Sequence, residues 1–122
     1  MIRKILIIDD SPVARKILKS CIPKEQDLEF FEAGDGLEGL SKFKEIAPDL
    51  TFLDITMPVM GGLECLEKII RFDKDAKIVM CTADIQVKSL ELALNLGALN
   101  IIKKPPSKES VEKIFSEILE KG

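Results

Sequence analysis

Histidine, tryptophan and tyrosine are all absent from the sequence. Without histidine, the chain has no histidine-based catalytic triad, no imidazole metal ligand and no phosphohistidine of its own. The three cysteines, Cys21, Cys65 and Cys81, are odd in number and far apart, and they form no CxxC pair. This spacing argues against a disulfide framework and against a cysteine zinc site. Reduced thiols in the cytoplasm are the simplest interpretation.

Long apolar runs and dense basic segments are missing as well. No apolar stretch approaches the length that a membrane-spanning helix needs, and the first one stops at Asp9 and Asp10, unlike a signal peptide. The net charge is −3 and the lysines and arginines are dispersed, which disfavours direct binding to nucleic acid. We therefore expect a cytoplasmic protein without membrane insertion or direct nucleic-acid contact.

The pattern that is present is typical of one globular α/β domain covering residues 1–122. Aliphatic runs alternate with segments whose apolar residues recur at helical spacing. The predicted strands are residues 5–8, 28–33, 50–54, 77–81 and 99–102. Such strand–helix repeats predict a doubly wound, five-stranded parallel sheet with helices on both faces. Glu29 and Glu32 interrupt the second strand, so we expect it at an edge of the sheet.

Two helix boundaries are marked by residue type. Ser11 and Pro12 have the character of an N-cap followed by proline at the first helical position. A later helix is predicted over residues 85–96, and Gly97 is a typical residue for ending it.

Polar side chains stand where four of the predicted strands end. They are Asp9 and Asp10, Asp54, Thr82, and Lys104. Three neighbouring carboxylates resist ionisation together unless a cation lies among them, and Mg²⁺ suits oxygen ligands of this kind. An aspartate, a metal, a lysine and a hydroxyl are the components of phosphoryl transfer. Each residue alone is better explained as a cap, a strand end or a surface group, but their joint placement favours a site.

Five segments carry a resemblance to a known family. They are residues 7–11 (IIDDS), 53–62 (LDITMPVMGG), 82–83 (TA), 97–98 (GA) and 104–105 (KP). Over essentially its full length the chain resembles the response-regulator receiver domains of two-component signalling. The resemblance implies a flavodoxin-like (βα)5 fold with strand order 2-1-3-4-5. It also implies a phosphorelay switch that catalyses its own phosphorylation and dephosphorylation.

By this resemblance Asp54 accepts a phosphoryl group from the phosphohistidine of a sensor histidine kinase or a phosphotransfer protein. Lys104 is then expected to pair with the phosphoryl oxygens, and Thr82 to hydrogen-bond the phosphoryl group and carry the signal outward. Lys103 is a rival to Lys104, but alternation along the strand and adjacency to Pro105 favour Lys104. The Lys104–Pro105 bond is a candidate for the cis form.

The same resemblance implies a Mg²⁺ site. Asp9 and Asp10 are expected to hold the ion, assisted by Asp54 and the backbone carbonyl of Thr56. Thr56 and Asp84 occupy positions at which the family tunes the lifetime of the phosphoryl group.

The route from phosphorylation to output departs from the family pattern. Many members have an aromatic residue three positions before the key lysine, where this chain has Ile101. We expect Thr82 to move toward the phosphoryl group while Ile101 repacks behind it. The following helix has Val87, Leu90 and Leu94 on one side and Leu92 and Leu96 on the other. Packing against other helices and an output surface for a downstream protein both explain this pattern.

Two other classes of protein are alternatives to a receiver domain. An aspartyl-phosphate hydrolase has a second aspartate two residues after its nucleophile, where Thr56 stands. A nucleotide- or flavin-binding module needs a glycine-rich loop after the first strand, where Asp10, Ser11 and Pro12 stand. The interpretation as a receiver domain is favoured, and both chemotaxis-type signalling and a phosphorelay shuttle are consistent with it.

Overall fold

The computed structural model describes residues 2–24, 27–83 and 86–121. Five strands alternate with five helices: β1 (Lys4–Ile8), α1 (Pro12–Cys21), β2 (Glu29–Ala33), α2 (Gly36–Ile46), β3 (Leu50–Leu53), α3 (Gly62–Phe72), β4 (Ile78–Thr82), α4 (Val87–Leu96), β5 (Asn100–Lys103) and α5 (Lys108–Lys121). All neighbouring strands are parallel, in the order β2-β1-β3-β4-β5. The predicted flavodoxin-like fold, its strand order and the edge position of β2 are confirmed.

Each predicted strand differs from the observed strand by one residue at one end or at both; β5, predicted over residues 99–102, covers Asn100–Lys103. β3 ends at Leu53 rather than at Asp54, whose carboxylate accepts a hydrogen bond from the next amide, Ile55 N, at 2.8 Å. β4 is shifted by one residue and ends on Thr82. The helix predicted from residue 85 begins at Val87, and Ile85 lies outside the described residues.

The two faces of the sheet bury separate apolar layers. Ile5 and Ile7 of β1 belong to the layer formed with α1 and α5, whereas Leu6 and Ile8 belong to the layer formed with α2, α3 and α4. This alternation follows from the two-residue period of a strand, and burial on both faces explains the continuous aliphatic runs. Within the described ranges, every helix is too short or too polar to span a bilayer.

The start of α1 fixes the segment that follows β1. The Ser11 hydroxyl accepts a hydrogen bond from Ala14 N at 3.1 Å, and Pro12 is the first helical residue. At the far end of α4, Gly97 adopts a φ of 118°, a left-handed conformation that favours glycine. Both predicted boundary signals are confirmed. The capped start of α1 leaves Asp9 and Asp10 in the short turn between strand and helix.

The hydroxyl of Thr51 is a structural weak point in the central strand β3. The residue is fully buried, and its Oγ1 has no hydrogen-bond partner among the described residues. Thr51→Val replaces this unsatisfied hydroxyl with a methyl group of similar size. We expect the free energy of unfolding, measured by urea denaturation, to rise by about 1 kcal/mol.

Thr51→Ser is the matched control, because it keeps the hydroxyl and removes the packed methyl group. Its free energy of unfolding should fall below that of the unmodified protein. If Thr51→Val is the less stable of the two variants, the hydroxyl contributes a stabilising interaction and the explanation is wrong.

Candidate functional site

Three carboxylates meet at the carboxyl edge of the sheet. Asp9 and Asp10 follow β1, Asp54 follows β3, and these two strands are hydrogen-bonded neighbours. One carboxylate oxygen from each residue lies within 4.8 Å of the other two. Asp9 and Asp54 are only 5% and 7% exposed, whereas Asp10 is exposed to solvent. The predicted convergence of strand ends therefore produces a compact cluster of negative charge.

One lysine compensates part of this charge. The Lys104 ammonium lies 2.5 Å from Asp9 Oδ2 and 3.2 Å from Asp54 Oδ2. Lys104 directly precedes Pro105 and joins it through a cis peptide bond, whereas the neighbouring Lys103 is exposed. Burial by itself lowers the pKa of Lys104, but the hydrogen bonds and charges of Asp9 and Asp54 outweigh it and raise that pKa above 10.5. The ammonium therefore stays charged at neutral pH.

The two buried carboxylates are held in the same way. Asp9 Oδ1 accepts a hydrogen bond from Ser11 N at 2.9 Å, and Asp54 Oδ1 accepts one from Ile55 N at 2.8 Å. Each Oδ2 faces the ammonium of Lys104. A backbone amide thus fixes one oxygen of each carboxylate, and the other oxygen is shared with a cation that can be displaced.

The donor set fits a hard divalent cation. Three carboxylates and one ammonium leave an excess of negative charge, and the oxygens lie close enough to share one ion. Ions such as Mg²⁺ bind oxygen ligands of this type and keep several waters, which the exposed side of Asp10 allows. The candidate metal site predicted from the sequence is therefore chemically reasonable.

Two of the remaining predicted residues, Thr82 and Thr56, differ in burial. Thr82 is buried at the end of β4, and its backbone carbonyl accepts a hydrogen bond from Lys104 N at 2.9 Å. Thr56 is exposed on the β3–α3 loop, two residues after Asp54. Asp84, which the sequence suggested as a tuning position, lies outside the described residues.

Gly62 has a role at the site that the sequence pattern did not reveal. Its amide donates to Ile55 O at 2.7 Å, and a Cβ placed on it would lie 1.8 Å from the backbone oxygen of Asp54. The start of α3 therefore packs directly on the backbone of Asp54. The sequence contains two adjacent glycines, Gly61 and Gly62, and the structure shows that Gly62 is the one without room for a Cβ.

Arg15 is a second residue near the site that the sequence analysis missed. It extends from α1 and donates hydrogen bonds to the backbone oxygen of Asp9 and to the carboxylate of Glu32 on β2. No local sequence signal predicts this contact, because it depends on how α1 lies against the edge of the sheet.

Comparison with known proteins points to one family. The family model described as response regulator receiver domain matches residues 5–116. Chemotaxis protein CheY of Halobacterium salinarum is 36% identical over 119 residues, which cover 98% of each protein. Chemotaxis protein CheY of Thermotoga maritima is 37% identical over 116 residues, covering 95% of this chain and 97% of that protein.

A solved structure of similar fold comes from a complex. A chain of the CheX–CheY complex with BeF3 and Mg²⁺ from Borrelia burgdorferi has a TM-score of 0.87 and 32% identity, covering 95% of this chain and 88% of that chain. A CheY-like response regulator receiver domain protein from Methanospirillum hungatei has a TM-score of 0.84 and 28% identity, covering 99% and 96%. The similarity therefore spans sequence and fold over nearly the whole chain.

Gly62→Ala should distort the backbone at Asp54. The added methyl group meets main-chain atoms that cannot rotate away, so we expect the free energy of unfolding to fall by about 3 kcal/mol in urea denaturation.

Gly61→Ala is the matched control. A Cβ at Gly61 lies 3.5 Å from Ile55 O, an ordinary contact, and the residue has a φ of −70°, which alanine adopts without strain. Gly61→Ala should change the free energy of unfolding by no more than about 0.5 kcal/mol. Equal losses for the two variants would contradict a specific contact between Gly62 and Asp54.

Proposed function

Because the chain belongs to the response regulator receiver domain family, and is thus a phosphoacceptor response regulator, we propose that Asp54 is the residue that accepts the phosphoryl group. The observation that carries this proposal is the geometry of its carboxylate. Asp54 Oδ2 lies 3.2 Å from the Lys104 ammonium, while Asp9 Oδ2 makes the tighter contact at 2.5 Å. Asp54 therefore holds the oxygen that is more easily released to attack phosphorus.

The transfer step follows from the residues around Asp54. Asp54 Oδ2 attacks the phosphorus of a phosphohistidine, so an O–P bond forms as the N–P bond breaks, and the imidazole leaves as a neutral ring that keeps the proton already on its other nitrogen. Lys104 turns its ammonium from the carboxylates to the phosphoryl oxygens. The buried hydroxyl of Thr82 donates to the phosphoryl group. The reaction is thus mainly positioning and charge neutralisation.

Asp9, Asp10 and Asp54 are proposed to hold Mg²⁺ during this step, assisted by the backbone carbonyl of Thr56. Two observations support this proposal: one carboxylate oxygen from each of the three residues lies within 4.8 Å of the other two, and the negative charge of the cluster is not fully compensated. When bound, Mg²⁺ neutralises charge on the transferring phosphoryl group. The backbone amides on Asp9 Oδ1 and Asp54 Oδ1 keep the carboxylates oriented for this role.

The phosphoryl donor is proposed to be a phosphohistidine on a sensor histidine kinase or a phosphotransfer protein. The chain contains no histidine, so the phosphohistidine belongs to another protein. The relatives in Halobacterium salinarum and Thermotoga maritima are named chemotaxis proteins, which supports a role in chemotaxis-type signalling.

The downstream target is proposed to bind the exposed side of α4. Val87 and Leu94 share that side and are 66% and 49% exposed, so the other described helices do not cover them. Leu90 and Ile101 are partly buried and pack against the core. For Val87 and Leu94, exposure favours an output surface over the alternative of packing between helices.

A cytoplasmic location is proposed from the thiols. All three cysteines are free and buried. Burial is the main cause that raises the pKa of both Cys65 and Cys81 to about 12, so these thiols stay protonated and unreactive at neutral pH. Cys81 is thus a small core residue.

Phosphorylation at Asp54 can be tested with a small phosphodonor and Mg²⁺, followed by intact-mass analysis. We expect the mass of one phosphoryl group on the unmodified protein and none on Asp54→Asn, because an amide is a poor nucleophile. A chelator should abolish the reaction. Asp75→Asn, which removes an exposed carboxylate in a distant loop, should react normally. A stable phosphoryl group on Asp54→Asn would refute the assignment.

Loss of Lys104 should make the stability of the protein depend on Mg²⁺. Lys104→Met leaves Asp9 and Asp54 buried without their ammonium, so the free energy of unfolding without Mg²⁺ should fall by about 3 kcal/mol. Saturating Mg²⁺ should restore much of this loss, and urea denaturation with Mg²⁺ or with a chelator measures both values.

Lys103→Met is the control, since it removes the neighbouring lysine, which is exposed. It should change the free energy of unfolding by about 0.5 kcal/mol or less in either solution. If Lys104→Met loses the same stability with and without Mg²⁺, the ion does not replace the ammonium at the carboxylates.

A further inference from the structure

Arg15 connects three parts of the molecule. It lies on α1, and its Nε donates to Glu32 Oε1 on β2 at 2.8 Å. Its Nη1 donates to the backbone oxygen of Asp9 at 2.5 Å. The two contacts diverge from one planar guanidinium, a geometry that lysine cannot reproduce. Arg15 is therefore fixed at one end by the edge strand and at the other end holds the backbone of the site.

We propose that Arg15 is a positioning residue for the cation-binding carboxylates, because it fixes the peptide unit that joins Asp9 to Asp10. The Asp9 carbonyl belongs to that planar peptide unit. Its hydrogen bond with Arg15 therefore fixes the orientation of the peptide plane and, with it, the position of the Asp10 backbone nitrogen. The Asp9 amide donates to Ala33 O at 3.0 Å, which ties the same residue to β2 from the other side. The inference rests on the proposed Mg²⁺ site.

Glu32 anchors the guanidinium. It accepts from Arg15 through Oε1 and from Lys19 through Oε2, the latter at 2.7 Å. The hydrogen bond from Lys19, more than that from Arg15, holds the pKa of Glu32 below its usual value, so the carboxylate stays charged at neutral pH. Lys19 shares this anchor but contacts Glu32 and the Phe30 ring, and none of its described contacts is with Asp9.

Removing Arg15 changes the affinity for Mg²⁺ in opposite directions under the two explanations, positioning and charge repulsion. Arg15 carries a positive charge close to a site for a divalent cation. By charge alone, removing it reduces repulsion and strengthens Mg²⁺ binding. Positioning predicts the opposite, because a free peptide unit lets Asp9 and Asp10 leave the orientation that binds the ion. Loss of affinity in a variant without Arg15 therefore supports positioning.

The test is calorimetric titration of Mg²⁺ into the unphosphorylated protein, Arg15→Met and Lys19→Met. We expect about 10-fold weaker binding for Arg15→Met, the size of effect seen when groups that orient metal ligands are removed. Lys19→Met loses the same charge and an ion pair to the same Glu32, and its affinity should stay within about twofold. Affinity in Arg15→Met equal to or tighter than in the unmodified protein overturns the inference, as does an equal loss in Lys19→Met.

A second variant keeps the test valid if Arg15→Met fails to fold, which circular dichroism detects. Arg15→Lys retains the charge but cannot reach Glu32 and Asp9 with one planar fork, so weaker Mg²⁺ binding supports the inference and unchanged affinity overturns it. Intact-mass analysis of the unmodified protein separates the two proposals. Mg²⁺ binding without phosphorylation refutes the proposed function alone, unchanged affinity in the Arg15 variants refutes positioning alone, and no Mg²⁺ binding refutes both.

Discussion

The contact between one ammonium and two buried carboxylates is the constraint on which the site depends. Asp9 and Asp54 are almost inaccessible to water, and a buried carboxylate without a partner costs several kcal/mol. Lys104 compensates the charge of both carboxylates, and it lies on the loop after the edge strand β5. The β1–α1, β3–α3 and β5–α5 connections must therefore all keep their places for the charges to be balanced.

The charge of the carboxylates is only partly compensated by Lys104, which leaves the site able to bind a cation. The Lys104 ammonium contacts two of the three carboxylates, so the cluster keeps an excess of negative charge that a divalent cation can balance. The backbone amides of Ser11 and Ile55 hold one oxygen of each buried carboxylate, which leaves the Oδ2 atoms as the pair whose partner can change. In the proposed transfer, the partners of the Oδ2 atoms would change while the amide contacts to the Oδ1 atoms stay in place.

Most of the fold was predictable because its signals are local. Aliphatic runs ending in polar residues predicted the strands, and parallel pairing then brought Asp9, Asp54 and Lys104 to one edge. The strand ends were less predictable: Asp54, predicted as the last residue of β3, follows the last strand residue, Leu53. The contact of Arg15 with Asp9 depends on tertiary packing. Val59 was unpredictable for another reason: its φ of 68° is unfavourable for a β-branched residue, so propensity argues against the observed loop.

Position 101 has isoleucine instead of an aromatic residue, and main-chain hydrogen bonds connect Lys104 to the end of β4. Lys104 N donates to Thr82 O, and β4 and β5 remain paired up to Thr82 and Lys103. In the proposed transfer, a displacement of Lys104 toward a phosphoryl group would act on the end of β4 through this main-chain hydrogen bond. Ile101 pairs with Met80 in the same ladder and packs against the core. In the proposed switch, Ile101 would repack within this core as the strand shifts, which requires no rotating ring.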